Sequence, residues 1–225
     1  DENGKQQAFI QVLDGINKTA EYNKFEAADF IAKKEVFDVK ILGNHFTSNH
    51  IELDLESTQG KLTFENQVPW SSSLLSPGIM GPFSFLPRME CYHGILSMDH
   101  DISGSIIYKG EAIDFNGGKG YMEKDWGRSF PSAYIWMQSN HFSEPGISLK
   151  SSVAKIPYAG TRFIGFIAGL WLRDRLIEFT TYNGTKLRKS QVSKESVNLV
   201  YEKKNQRLTI NHIRAKCQTS DETIL

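Results

Sequence analysis

The chain has 225 residues, 40% of them hydrophobic, enough to bury a substantial core and so to exclude a disordered segment. Its 26 Lys and Arg balance 26 Asp and Glu, which argues against a nucleic-acid binder or a polybasic membrane anchor. Cys91 and Cys217 stand far apart in no metal-ligand spacing, so neither a disulfide framework nor a zinc site is expected, and a reducing, cytoplasmic compartment fits.

Asp1-Glu2-Asn3-Gly4 reads as a turn running straight into the strand-like Ala8–Leu13. The chain is therefore expected to begin in mid-fold, with residues missing upstream, and the end from Cys217 to Leu225 shows no closing element. Period-two alternation bounded by Gly, Asn, Asp and Pro predicts strands over 7–13, 35–42, 49–55, 60–66, 89–99, 102–108, 111–116, 133–142, 147–156, 162–172, 175–182, 196–201 and 207–213. Over 51–55, for example, Ile51, Leu53 and Leu55 share one face while Glu52 and Asp54 share the other. Such spacing predicts an all-β protein of antiparallel sheets closed into barrels, with at most short helices.

The one helical reading falls at 21–33, where Tyr22, Phe25, Ala28 and Ala32 recur at spacings of three and four. The Pro- and Ser-rich stretch 69–78 cannot continue a ladder and reads as a long loop, a lid or a boundary between barrels. No apolar run approaches the roughly 20 residues that span a bilayer as a helix. No integral membrane segment is expected, and peripheral membrane contact stays open.

Chemistry-bearing residues concentrate over 89–142, in Met89-Glu90-Cys91-Tyr92-His93-Gly94, Gly117–Gly127 and Phe130–Phe142. If 120–126 is extended, Tyr121, Glu123 and Asp125 project from one face and Met122, Lys124 and Trp126 from the other. Paired acids beside aromatics let an apolar wall keep one carboxyl protonated as a general acid while the other stays ionised, and Glu123 is the candidate acid. A solvated turn with surface ion pairs explains the same residues equally well. Along 133–142, Tyr134, Trp136, Gln138, Asn140 and Phe142 fall on one face, where buried amides need a wet pocket or a hydrogen-bond network.

His93, on the same strand face as Cys91, and His141, beside Asn140, are better placed than His45, His50 and His212, which solvent exposure explains. Gly117-Gly118-Lys119-Gly120 lacks the rest of a phosphate loop and reads as a hairpin turn. No Gly-x-Ser-x-Gly elbow is present, and Ser151 and Ser152 have no base nearby in sequence, which disfavours a serine hydrolase.

The string Gly118–Gly127, followed by Phe130-Pro131 and Trp136–Phe142, resembles the signature block of the tocopherol cyclase-like family. Phe9–Gly15, Pro77–Pro82 and Met89–Gly94 resemble further family blocks, so the likeness runs from about residue 1 to about 190. The resemblance implies lipocalin-like β-barrel halves, related to hydroxyneurosporene synthase, the carotenoid 1,2-hydratase. Residues 1–75 are then the remainder of a first half and 76–225 a second half carrying the signature block, unless the whole is one unit.

The resemblance also implies a chemistry without cofactor or metal. A general acid protonates the trisubstituted alkene of a prenylated quinol, and the phenol oxygen captures the tertiary cation; in a hydratase, water captures it. The hydratases' Gly-Tyr-x-acid core falls on Tyr121 and Glu123, and their preceding histidine on His93. Tyr134, Trp136 and Trp126 offer aromatic faces for a cation within about 6 Å. Asp125 and His141 are then placed to orient the acid or take the phenolic proton, with Gln138, Asn140 and Glu90 as ligand-binding groups. The expected partner is a small hydrophobic molecule; the oligomeric state is not legible.

Two other functions use the same residues. A non-catalytic carrier of a lipid or isoprenoid is the default use of a barrel cavity. A carbohydrate-active barrel ranks last, although carboxylates at 123 and 125, about 7 Å apart along a strand, leave glycosidase geometry open.

Overall fold

In a computed structural model, the described residues run from 4 to 213, apart from Arg88 and Ala159. The opening Asp1-Glu2-Asn3 and the closing stretch with Cys217 lie outside them. The chain divides into two compact units, one of Asp1–Pro69 with Leu96–Glu123 and the other of Trp70–Ile95 with Lys124–Leu225.

Strands β1 (Gln7–Asp14) and β2 (Thr19–Glu26) form an antiparallel hairpin in full register from Gln7↔Glu26 to Asp14↔Thr19. The helical spacing expected over 21–33 is thus overridden: β2 fills its first part, a single 3-10 turn covers Ala27–Asp29, and β3 (Phe30–Ala32) follows. Tyr22 and Phe25, three apart, fit a helical period and lie on opposite faces of the strand, but eight cross-strand partners on β1 outweigh that spacing.

The next strands are β4 (Asp38–Ile41), β5 (Asn44–Thr47), β6 (His50–Asp54), β7 (Thr58–Glu65), β8 (Cys91–Tyr108), β9 (Glu111–Asp114) and β10 (Gly118–Gly127). They make one sheet in the order β10-β8-β7-β6-β5-β4-β3, with β9 also paired to β8. β8 runs unbroken over the two strands expected at 89–99 and 102–108; β7 pairs with its second part, from Glu65↔Asp101 to Thr58↔Tyr108, and β10 is its other neighbour in the sheet. In this unit Leu62, Phe64 and Ile106 form one apolar cluster, with Ile51, Leu53 and Met122 against it, and Ala8, Ile10, Ile41 and Leu55 form another.

The second unit adds a four-stranded sheet, β11 (Tyr134–Ser139), β12 (Ser148–Tyr158), β13 (Thr161–Leu172) and β14 (Arg175–Thr180), and a three-stranded one, β15 (Lys186–Val192), β16 (Ser196–Lys203) and β17 (Gln206–Ile213). Val153, Phe166, Ala168 and Phe179 from the first join Leu199, Tyr201 and Ile210 from the second in one core, where the Tyr201 hydroxyl lies 2.8 Å from Ser151 Oγ. Burial pushes that phenol's pKa up to about 12.

Among the described residues, the all-β, antiparallel architecture and the absence of more than short helical turns agree with the sequence. Closure does not: among the described residues no sheet closes into a barrel, and the largest ends on β3 and β10, which do not pair with each other. Alternation encodes pairing between neighbours, whereas closure depends on a non-local pairing that it does not carry.

Candidate active site

Cys91 and His93 stand two apart on β8, and so point to the same side; Asp125 reaches the same place from β10. His93 Nδ1 lies 2.6 Å from Asp125 Oδ1, with side-chain exposures of 21% and 28%. This is the distance of a charge-assisted hydrogen bond in a half-sheltered setting. The end of β10 is tied down by Arg128 N–H, which donates to the Glu90 carbonyl at 2.8 Å, while Gly127 passes so close to that carbonyl that any Cβ would collide with it. One sulfur, one imidazole nitrogen and one carboxylate oxygen from Cys91, His93 and Asp125 all lie within 4.8 Å of one another.

Two hollows meet at His93, and Asp125 lines the wider of them. The narrower, about 50 Å³, is walled by Met80, Phe83, Ile156, Phe163, Phe166 and Tyr182, with Glu90, Cys91 and His93 supplying polar atoms. The wider, about 250 Å³, is lined by His93, Asp125, Phe130, Pro131, Tyr134, Trp136, Ser152 and Ala154. His93, Pro131, Ser152 and Ala154 line both.

The period of β12 explains the lining: Val153 enters the core while Ser152, Ala154 and Ile156 face the other way, into the hollows. Lys150, one step back on that face and fully buried, donates to Ser152 Oγ at 3.0 Å. The Tyr182 hydroxyl donates to the Ile79 carbonyl at 2.8 Å, and burial pushes its pKa up to about 12, so it remains a neutral phenol at ordinary pH.

The sequence matches the profile of the tocopherol cyclase-like family over residues 23–193. The chain belongs to the tocopherol cyclase-like family. A probable chloroplastic tocopherol cyclase of Oryza sativa subsp. japonica is 31% identical over 109 residues, which is 46% of this chain and 22% of that protein. A chloroplastic tocopherol cyclase of Zea mays is 28% identical over 120 residues, 51% of this chain and 24% of its own. The chain therefore spans about a quarter of the length of the curated relatives it matches. Among solved structures, kievitone hydratase from Nectria haematococca superposes with a TM-score of 0.48 and 13% identity, covering 85% of this chain and 62% of that one.

Of the residues singled out in this family member's sequence, Glu90, His93, Asp125, Tyr134 and Trp136 gather around the two hollows. Glu90 Oε2 is buried there and has no hydrogen-bond partner among the described residues. Tyr121 and Glu123 share a face of β10 as expected, and the Tyr121 hydroxyl donates to the Glu123 carboxylate, but Glu123 lines neither hollow. Trp126 stacks on Tyr92 at 5.7 Å and carries the Lys124 ammonium 5.0 Å above its ring. Gln138 turns to a separate hollow shared with Leu208 and Ile210. Asn140 and His141 follow the end of β11, His141 exposed with its N–H on Ser139 Oγ at 3.3 Å.

The sequence reading assigned no site role to Cys91, Phe130, Lys150 or Ser152. Cys91 had a legible signal, since it alternates onto the face of His93. Lys150 had a weaker one: Ser148, Lys150 and Ser152 form a polar file on one face of β12, but only packing shows that face to be buried.

Proposed function

We propose that this chain is an acid-catalysed cyclase or hydratase of a prenylated quinol or related isoprenoid alkene, and that the His93–Asp125 pair handles the proton. The observation that carries the reading is the placement of that pair, hydrogen-bonded at 2.6 Å and lining an otherwise largely apolar and aromatic hollow. Family membership supports the reaction class; the lining supports a hydrophobic ligand.

The pair holds one proton between imidazole and carboxyl. Its delivery to the less substituted alkene carbon leaves a tertiary carbocation. Phe130, Tyr134 and Trp136, which line the wider hollow, present the π-faces that stabilise such a cation. Capture by the substrate's own phenol oxygen closes a ring, and the phenolic proton returns to the pair, so the net change is an isomerisation. Capture by water gives a tertiary alcohol, with the water's second proton returning in the same way. Exclusion of bulk water by the apolar walls favours ring closure and keeps the electrostatics strong. The acid is assigned to Asp125 with His93, rather than to Glu123, because only the former line the hollows.

The test is turnover of a prenylated quinol followed by chromatography and mass spectrometry. Cyclisation leaves the mass unchanged and hydration adds one water. Asp125→Asn is expected to lower turnover by about 10²–10⁴-fold, the span of general acid–base catalysis, while ligand binding read from Trp136 fluorescence is retained. Wild-type turnover in Asp125→Asn removes the pair from the mechanism. Binding without any transformation by the wild-type chain identifies a carrier instead.

A further inference from the structure

We propose that Cys91, His93 and Asp125 form a binding site for a divalent cation of the zinc type, and that the bound cation switches the enzyme off. Sulfur, imidazole and carboxylate are the donor types that zinc takes, at about 2.3 Å for sulfur and about 2.0–2.2 Å for nitrogen and oxygen. Tetrahedral angles then set neighbouring donor atoms roughly 3.3–3.6 Å apart. The three donors here already lie within 4.8 Å of one another, and the His93–Asp125 contact of 2.6 Å has only to open by less than its own hydrogen-bond length. Cys91 and His93 are held in place by the alternation of a single strand, so two of the three ligands are pre-positioned by β8.

The surroundings suit a cation. Cys91 is 8% exposed, and its thiol donates a long contact of 3.7 Å to the Tyr92 carbonyl. Glu90 lines the same narrow hollow and brings a buried carboxyl oxygen, a further oxygen donor, beside the site. Three protein ligands leave a fourth position, and because His93 lines both hollows, that position opens toward them. Among the described residues this is the one grouping of three His, Cys, Asp or Glu donors with such spacing.

Occupancy has a direct consequence. A metal takes a lone pair from His93 and the carboxylate of Asp125, so neither holds the shared proton. The inhibition rests on the proton-handling role proposed above; the binding rests on geometry alone.

The experiment titrates Zn²⁺, and Co²⁺ as its spectroscopic substitute, into the full chain and into Cys91→Ser, His93→Gln and Cys217→Ser, with thermal melting to verify folding. One Co²⁺ per chain is expected, with a thiolate-to-cobalt charge-transfer band present in wild type and Cys217→Ser and lost in Cys91→Ser. Affinity should fall in Cys91→Ser and His93→Gln by more than the roughly 10–100-fold that loss of a mere supporting partner costs. Absence of the band in wild type, or the same band and affinity in folded Cys91→Ser, overturns the site. Stoichiometric Zn²⁺ should abolish turnover and a chelator restore it. Metal binding with undiminished turnover overturns the switch and tells against the proton pair. Loss of turnover in Asp125→Asn without metal binding in wild type refutes the cation site and leaves the catalytic reading standing.

Discussion

Strand β8 carries two histidines whose surroundings differ in the way that separates chemistry from packing. His93 is partly exposed, lies 2.6 Å from Asp125 through its Nδ1, and lines two hollows. His100 is 2% exposed, packs against Phe64 with ring centroids 4.7 Å apart, and has a buried Nδ1 with no hydrogen-bond partner among the described residues. Acids flank both, but those near His100 are engaged elsewhere: Lys119 Nζ lies 2.6 Å from Asp101 Oδ1 and 3.4 Å from Asp99 Oδ2. Burial holds the His100 pKa below its ordinary value despite these acids, which keeps the ring neutral. A histidine becomes a candidate catalyst when a carboxylate orients it toward open space, and a core residue when apolar groups close over it.

The largest expected effect separates the two rings directly. His93→Gln should lower turnover by about 10²–10⁴-fold with little change in melting temperature, whereas His100→Gln should cost stability and leave turnover per folded molecule nearly unchanged. The reverse pattern would dissolve the distinction.

A smaller effect follows from Gly120. A Cβ there would run into the His100 imidazole, so the glycine is required by close approach. Gly120→Ala should cost about 1–3 kcal/mol by overpacking, measured by denaturant unfolding, and pairing it with a smaller residue at position 100 should recover part of the loss.

The smallest effect is a pH dependence. The folded state holds His100 neutral, with its pKa lowered by burial from 6.5, while the unfolded chain protonates near that ordinary value. The unfolded state therefore binds more protons as pH falls, and stability, full above about pH 6.5, declines below it until the folded pKa is passed. His50, also lowered chiefly by burial, adds in the same direction. Unfolding midpoints above and below that pH should differ less in His100→Gln than in wild type; an equal slope would place the proton uptake elsewhere.

Much of this could be read from residues, and the rest for identifiable reasons could not. Alternation located most strands, and the face division over 134–139 is present, with Ile135 and Met137 against the core and Tyr134 and Trp136 at the hollow. The family blocks fall largely within the stretch that the family profile matches, residues 23–193. Alternation also put Tyr121, Glu123 and Asp125 on one face, but it could not tell which acid meets a cavity, because that depends on what the neighbouring strand brings opposite. β8 brings His93 to Asp125, and Glu123 finds the Tyr121 hydroxyl instead. Alternation places Cys91 on the face of His93, but that Asp125 joins them depends on a strand distant in sequence, and that the Lys150 face of β12 is buried depends on packing.

In the mechanism proposed, protonation of the substrate alkene starts at the His93–Asp125 pair. Turnover in deuterium oxide with a prenylated quinol measures it directly, by mass spectrometry of the product's carbon skeleton. One deuterium on the carbon beside the newly formed C–O bond is predicted for wild type and for Glu123→Gln, with product from Asp125→Asn forming about 10²–10⁴-fold more slowly. Deuterated product from Asp125→Asn at the wild-type rate, with none from a folded Glu123→Gln, would contradict the claim and move the acid two residues along the strand.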